Sequence, residues 1–144
     1  MIQIAAAGDI HFSRNCGGRL KQHFSLLRGE ADFLLLAGDL TQVGHPDEAR
    51  VLADELAKCP VPVLAVLGNH DYQMNQVGLV VDILSQAGVR VLEGATHIMN
   101  IREQKVGVAG IKGFGGGFIG ACGSDFGEPE MKAFMRQVHA TYAD

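Results

Sequence analysis

Three short apolar runs, each closing on a glycine followed at once by metal-capable polar residues, constrain this chain more than any other feature. Ile2 to Ala7 runs into Gly8-Asp9, Phe33 to Ala37 into Gly38-Asp39, and Val61 to Leu67 into Gly68-Asn69. Nearly unbroken runs of this length suit strands buried on both faces of a sheet. Helical spacing fills the gaps between them. Leu20, Phe24 and Leu27 share one face, as do Ala49, Leu52, Ala53 and Leu56, where Pro46, Asp47 and Glu48 open the helix and Pro60 follows it. Val77, Val80, Val81 and Leu84 repeat the pattern, with Gly88 placed to end the helix in a left-handed turn. Strand and helix therefore alternate, which predicts right-handed crossovers and an α/β fold with a mostly parallel sheet flanked by helices.

After Gly88 the pattern shifts to three short strands, Val89 to Leu92, Thr96 to Ile101 and Lys105 to Ile111, with turns at Glu93-Gly94 and Arg102-Glu103-Gln104. These are expected to continue the sheet in an antiparallel sense. A Gly-rich stretch, 113–120, comes next, and a last helix from about Pro129 has Met131, Phe134, Met135 and Val138 as its buried face. The 144 residues suffice for one domain with its own core, 1–144, without disulfides.

Charge and cysteine usage narrow the function classes. A net charge of −4, with twelve Lys and Arg scattered singly, gives no basic track, so nucleic acid is not indicated as a partner. Cys16, Cys59 and Cys122 form no C-x-x-C pair and read as free thiols, which makes the cytoplasm the expected compartment. The N-terminus lacks a basic leader, and no apolar run approaches the roughly 20 residues of a membrane span, so a membrane association is not expected.

The carboxyl ends of parallel strands line one crevice, so the three polar segments should converge. In Asp9-Ile10-His11 the two candidate ligands are one residue apart, which in an extended segment aims both side chains the same way. Taken singly, each segment has a plainer reading: a capping Asp beside a surface His, a Gly-Asp turn at Asp39, a capping role for Asp71. Asn69-His70-Asp71 is the rarest, placing an amide oxygen, an imidazole and a carboxylate together after a buried strand.

Together, Asp9-x-His11, Gly38-Asp39 and Gly68-Asn69-His70-Asp71 resemble the leading motifs of the calcineurin-like metallophosphoesterase superfamily, in order, over about half the chain. The resemblance implies a layered fold of the four-layer αββα kind and hydrolysis of phosphate mono- or diesters by a hydroxide activated between two divalent metal ions. It implies that Asp9 and His11 bind the first metal, Asp39 bridges both and Asn69 binds the second. His70 would be the catalytic histidine that stabilises the transition state or protonates the leaving alkoxide. Imidazole, carboxylate and amide ligands suit Mn²⁺, Fe or Zn²⁺, with Mn²⁺ the first expectation. Asp71 would either hold a histidine loop or cap a helix.

The family's later histidine and final G-H-x-H do not occur here. Among the histidines, 11, 23, 45, 70, 97 and 139, only Gly44-His45-Pro46-Asp47 begins like the final motif, and its place before Pro46 reads as a helix cap. His97 and His139 read as surface or packing residues. The second half of the sandwich is thus missing, and the chain is expected to be a truncated domain or to cover its open core by homo-oligomerising. A weakly active or inactive scaffold that binds metal or a partner is the alternative reading. Gly115, Gly117 and Gly120 match G-x-G-x-x-G, but Pro129 and a second glycine cluster stand where a dinucleotide-binding helix would begin, so turn-making or a mobile loop over the site is the better account. Arg14 could reach a phosphate but reads as an ordinary solvated arginine.

Overall fold

The computed structural model of the protein describes residues 1–113, 117–118, 120–124 and 129–143. In chain order the elements are β1 (Ile4–Gly8), α1 (Lys21–Ser25), β2 (Phe33–Ala37), α2 (Pro46–Leu56), β3 (Val63–Val66), α3 (Asn69–Tyr72), α4 (Val77–Gln86) and β4 (Val89–Val91). They continue with β5 (Ala95–Ile101), β6 (Gln104–Gly110), β7 (Gly117–Phe118), β8 (Ala121–Cys122) and α5 (Pro129–Ala143). The first four strands form one sheet in the order β1-β2-β3-β4, every neighbour parallel, with Gly8 opposite Ala37 and Ala37 opposite Val66. An α/β fold with a parallel sheet flanked by helices is therefore what the alternating pattern produces.

Alternation along β2 and β3 divides the core. Leu34, Leu36, Val63 and Ala65 face α2 and α4, where Leu52, Leu56, Val80 and Leu84 meet them in one buried cluster. Each such leucine or valine contributes about 1.5–3 kcal/mol by leaving water. α2 starts as its sequence dictates: His45 Nδ1 accepts the Asp47 N–H at 3.0 Å, Pro46 occupies the first turn, and the Glu48 carboxylate accepts the N–H groups of Val43 and His45. His45 is thus a cap, worth about 1 kcal/mol. Gly88, at φ 88°, follows the end of α4 in the expected left-handed conformation. α1 is shorter than its apolar spacing predicts, with Leu20 and Leu27 outside it and Phe24 its buried residue. Glu55 of α2 compensates by accepting the N–H groups of Gly18 and Leu20 at 2.5 and 2.9 Å.

The opposite face is covered by β5 and β6, which pair antiparallel as a separate two-stranded sheet instead of extending the first. Gly94 turns the chain over at φ 59°. Gly110 then lies so close to the sheet that a Cβ there would come within 2.7 Å of Leu92 Cβ and 2.8 Å of Val66 Cγ1. Met99, Ile101, Val106 and Val108 pack down on Phe33, Leu64 and Leu92. The hairpin turns at Arg102 and Glu103, both at positive φ, the backbone of a type I′ turn built without glycine. Arg102 is anchored: its guanidinium donates to Asp32, to the Met1 carbonyl and to the Gln3 side chain. The Gln3 N–H and the Arg102 charge hold the Asp32 carboxyl below the usual carboxylate range.

Three expectations are corrected. β4 continues the first sheet parallel to β3, not antiparallel, because α4 between them returns the chain to the end of the sheet where β3 starts. β1 is an edge strand, and its Ile4 stays 53% exposed instead of being buried on both faces. On α5, Met135 and Val138 are buried, but Met131 and Phe134 are exposed. The helix therefore buries a stripe one turn long, narrower than its apolar residues would allow.

Candidate metal centre

β1 and β2 leave the sheet side by side, and both kink into left-handed backbone: Asp9, His11, Gly38 and Asp39 have φ of 51°, 43°, 78° and 48°. The Asp9 N–H donates to the Gly38 carbonyl, His11 N–H to Asp39 and Phe12 N–H to Leu40, so the kinked segments stay paired out to Phe12 and Thr41. The D-x-H segment is thus not extended, as its spacing predicts, but doubly kinked. Three non-glycine residues in this region cost about 1–2 kcal/mol each, a kind of strain that gathers at functional sites. Apolar anchors hold the distortion in place: Phe12 and Leu40 are fully buried and Ile10 nearly so.

The third segment is drawn against the second by a glycine and a buried carboxylate. A Cβ on Gly68 would collide with the Asp39 carboxylate and backbone, so only glycine lets these loops approach this closely. The His70 N–H then donates to Asp39 Oδ1 at 3.0 Å. Asp71 has no exposed surface. Its Oδ1 accepts the N–H and hydroxyl of Thr41 at 2.8 and 2.6 Å, and its Oδ2 accepts the N–H groups of Gly68 and Leu40 at 2.8 and 3.1 Å. Both readings of Asp71 hold at once: it caps the short helix α3 and ties that helix to the Asp39 loop. Charge-assisted bonds of this number make a buried carboxylate tolerable where a bare one would not be.

Side-chain placement follows from these ties. The ligand-capable atoms of His11, Asp39 and His70 lie within 4.8 Å of one another, with His11 Nε2 3.9 Å from Asp39 Oδ2 and the two imidazoles edge-on at 4.6 Å. His70 Nδ1 stands 2.7 Å from the Gln42 carbonyl, an acceptor, so Nδ1 carries the hydrogen and Nε2 is left to act. Asp9 and Asn69 are exposed and line an adjoining cleft of about 230 Å³ with Asp39, Gly68, Lys112 and Gly113. All five residues singled out in the sequence therefore border one site, but His70, not Asp9, completes the tightest trio.

A divalent cation fits this donor set on an observation independent of motif. Among the described residues, His11 Nδ1 is a buried ring nitrogen without a hydrogen-bond partner, in an interior where such atoms are nearly always satisfied. Beside it stand one carboxylate and a second imidazole, a combination that suits transition-metal ions.

Several contributors carry no sequence signal. Gln42 acts through a backbone carbonyl, which is independent of residue type, and Thr41 through its register with Phe12. Glu93 Oε1 accepts the Leu67 N–H at 3.1 Å and its Oε2 accepts the Tyr72 hydroxyl at 3.2 Å, supporting the third loop from β4's side. Burial, and then the Glu93 charge, push the Tyr72 phenol above its ordinary range. Arg14 is solvated, pairing loosely with Asp47 at 3.8 Å. His97 is half-buried in β5, and His139 is exposed with Nε2 3.3 Å from Cys122 Sγ. Of the Gly-rich stretch, Gly113 borders the cleft, whereas Gly115 and the neighbouring 114–116, 119 and 125–128 lie outside the described residues, and with them the dinucleotide-loop and mobile-loop readings.

Comparisons with known proteins agree with the motifs. No curated protein sequence matches the chain. Its structure is similar to the crystal structure of a phosphopantetheinyl hydrolase from Mycobacterium tuberculosis, with a TM-score of 0.58 and 19% sequence identity. The superposition covers 98% of this chain and 62% of that one, so the chain spans under two thirds of that protein's length. The family model for calcineurin-like phosphoesterases matches residues 2–117, most of the chain and all three strand-end segments, and the protein belongs to that family.

Proposed function

We propose that this chain carries the catalytic half of a metal-dependent phosphoester hydrolase, acting on phosphate mono- or diesters. The observation that carries the reading is the convergence of His11, Asp39 and His70 within 4.8 Å, with Asp39 Oδ2 turned toward His11 Nε2. In this reading Asp9, His11, Asp39 and Asn69 would hold two divalent ions, Mn²⁺ first among the candidates, and Asp39 would serve both. Bound ions would supply Lewis-acid charge for the phosphoryl oxygens and make hydroxide available near neutral pH.

The chain's own groups do the rest. Asp39 keeps its place because the His70 N–H fixes Oδ1, leaving Oδ2 turned toward His11. His70 is held by the Gln42 carbonyl at Nδ1, so its Nε2 can carry a proton to the departing ester oxygen. Asp71 keeps the Asp39 and His70 loops at a fixed separation. Hydrolysis of p-nitrophenyl phosphate or bis(p-nitrophenyl) phosphate should depend on added Mn²⁺, and Asp39→Asn should abolish it. Calorimetry that finds no divalent metal bound to the wild-type chain would remove the proposal.

A further inference from the structure

Beside the metal centre lies a second cavity, of about 670 Å³, with Tyr72, Glu93, Lys112, Gln137 and Thr141 in its walls. Asn69 and Lys112 line both this cavity and the cleft that holds Asp9 and Asp39, so the two spaces meet at those side chains. Its volume falls within the roughly 300–1,000 Å³ of small-molecule sites. A polyanionic strand would need a basic track, which a chain of net charge −4 with scattered cations does not offer.

The near wall is chemically graded. Lys112 Nζ lies 5.1 Å from the centre of the Tyr72 ring, at the junction with the metal centre. In the same wall, the Tyr72 hydroxyl and the Leu67 N–H each donate to one oxygen of Glu93 and hold that carboxylate in place. Two donors do not exhaust its acceptor capacity, so it can still receive hydrogens from a ligand. Cationic charge thus stands where the two spaces meet, and acceptor oxygens stand in the wall of the cavity alone.

We propose that this cavity holds the organic part of a small phosphoester bearing hydroxyl or amino groups, with Lys112 at the junction between that part and its phosphate. The assignment rests on the hydrolase reading of the adjoining cleft and names the substrate class for it. Ala140, also in the wall, offers a way to fill the space.

The test uses the full chain with Mn²⁺ and two probes, adenosine 5′-monophosphate, which carries hydroxyl and amino groups, and p-nitrophenyl phosphate, which carries neither. Ala140→Trp should lower the ratio of kcat/KM for the first over the second by about tenfold or more, and Glu93→Gln, a near-isosteric change, by about threefold. Leu79→Trp, on the exposed side of α4, should leave the ratio as in wild type. An unchanged ratio in both cavity variants would overturn the assignment. So would cleavage of a single-stranded oligonucleotide that Ala140→Trp does not slow, with the nucleotide monophosphate left intact. If the wild type hydrolyses no probe, the hydrolase reading fails separately. The cavity is then judged by calorimetric binding of adenosine 5′-monophosphate: weakening by about tenfold in Ala140→Trp supports it, and absent or unaffected binding overturns it.

Discussion

On one face of the β1-β2-β3-β4 sheet, α2 and α4 bury Leu36, Leu52, Val80 and Leu84 to 2% exposure or less. On the other, the β5-β6 hairpin covers Phe33 and Leu64 but leaves Ile4 of β1 53% exposed, and its own outward Ile98 68% exposed. The candidate metal centre is rooted on the first side, because Ile10, Phe12 and Leu40, which anchor the kinked loops, belong to the helix-facing cluster. The adjoining cavity is walled partly by α5 and by Lys112, just past the hairpin. The two regions thus divide the labour: densely buried residues hold the strained, chemically demanding geometry, and a more lightly packed region shapes the space beside it.

Substitutions can break or sharpen that contrast. His70→Ala should show the largest effect, a roughly 10²–10⁴-fold loss of kcat, since it removes the proposed proton carrier. Metal stoichiometry by atomic emission should be retained; loss of a metal equivalent would make His70 a ligand instead. Asp71→Ala strands buried donors on three backbone positions and one hydroxyl and should destabilise the fold by about 3 kcal/mol or more. It should also weaken metal affinity by roughly 10–100-fold, because it loosens the loops that carry the ligands. A melting curve and a metal titration check both.

Paired truncations compare the faces directly. Leu36→Ala, on the helix-covered side, should cost about 2–5 kcal/mol in urea unfolding. Val106→Ala, on the half-buried inner face of the hairpin, should cost only about 1 kcal/mol. Equal costs would contradict the unequal burial. The smallest change concerns Tyr72. In a Tyr142→Phe background, so that one tyrosine remains, its phenolate absorbance should appear above the usual alkaline range. Glu93→Gln should shift it back downward, because a neighbouring negative charge disfavours the ionised phenol.

Residue order alone determined the alternation of strand and helix, the parallel pairing of the first three strands and the start of α2 at His45-Pro46, and it singled out Asp9, His11, Asp39, Asn69 and His70 as candidate site residues. Those are local facts: apolar period, capping chemistry and short motifs are all written within a few residues of one another. Tertiary structure decided what depends on distant partners. It placed β1 at an edge, folded β5 and β6 over the sheet instead of beside it, and left Met131 and Phe134 on the outside of α5. It also turned Asp9, His11 and Asp39 left-handed, which no spacing rule could announce, because the strain is sustained by buried Phe12 and Leu40 and by the Asp71 carboxylate some thirty residues away. Sequence can name the groups that could hold a metal. Their aim is set by backbone angles that only long-range burial and hydrogen bonding can stabilise.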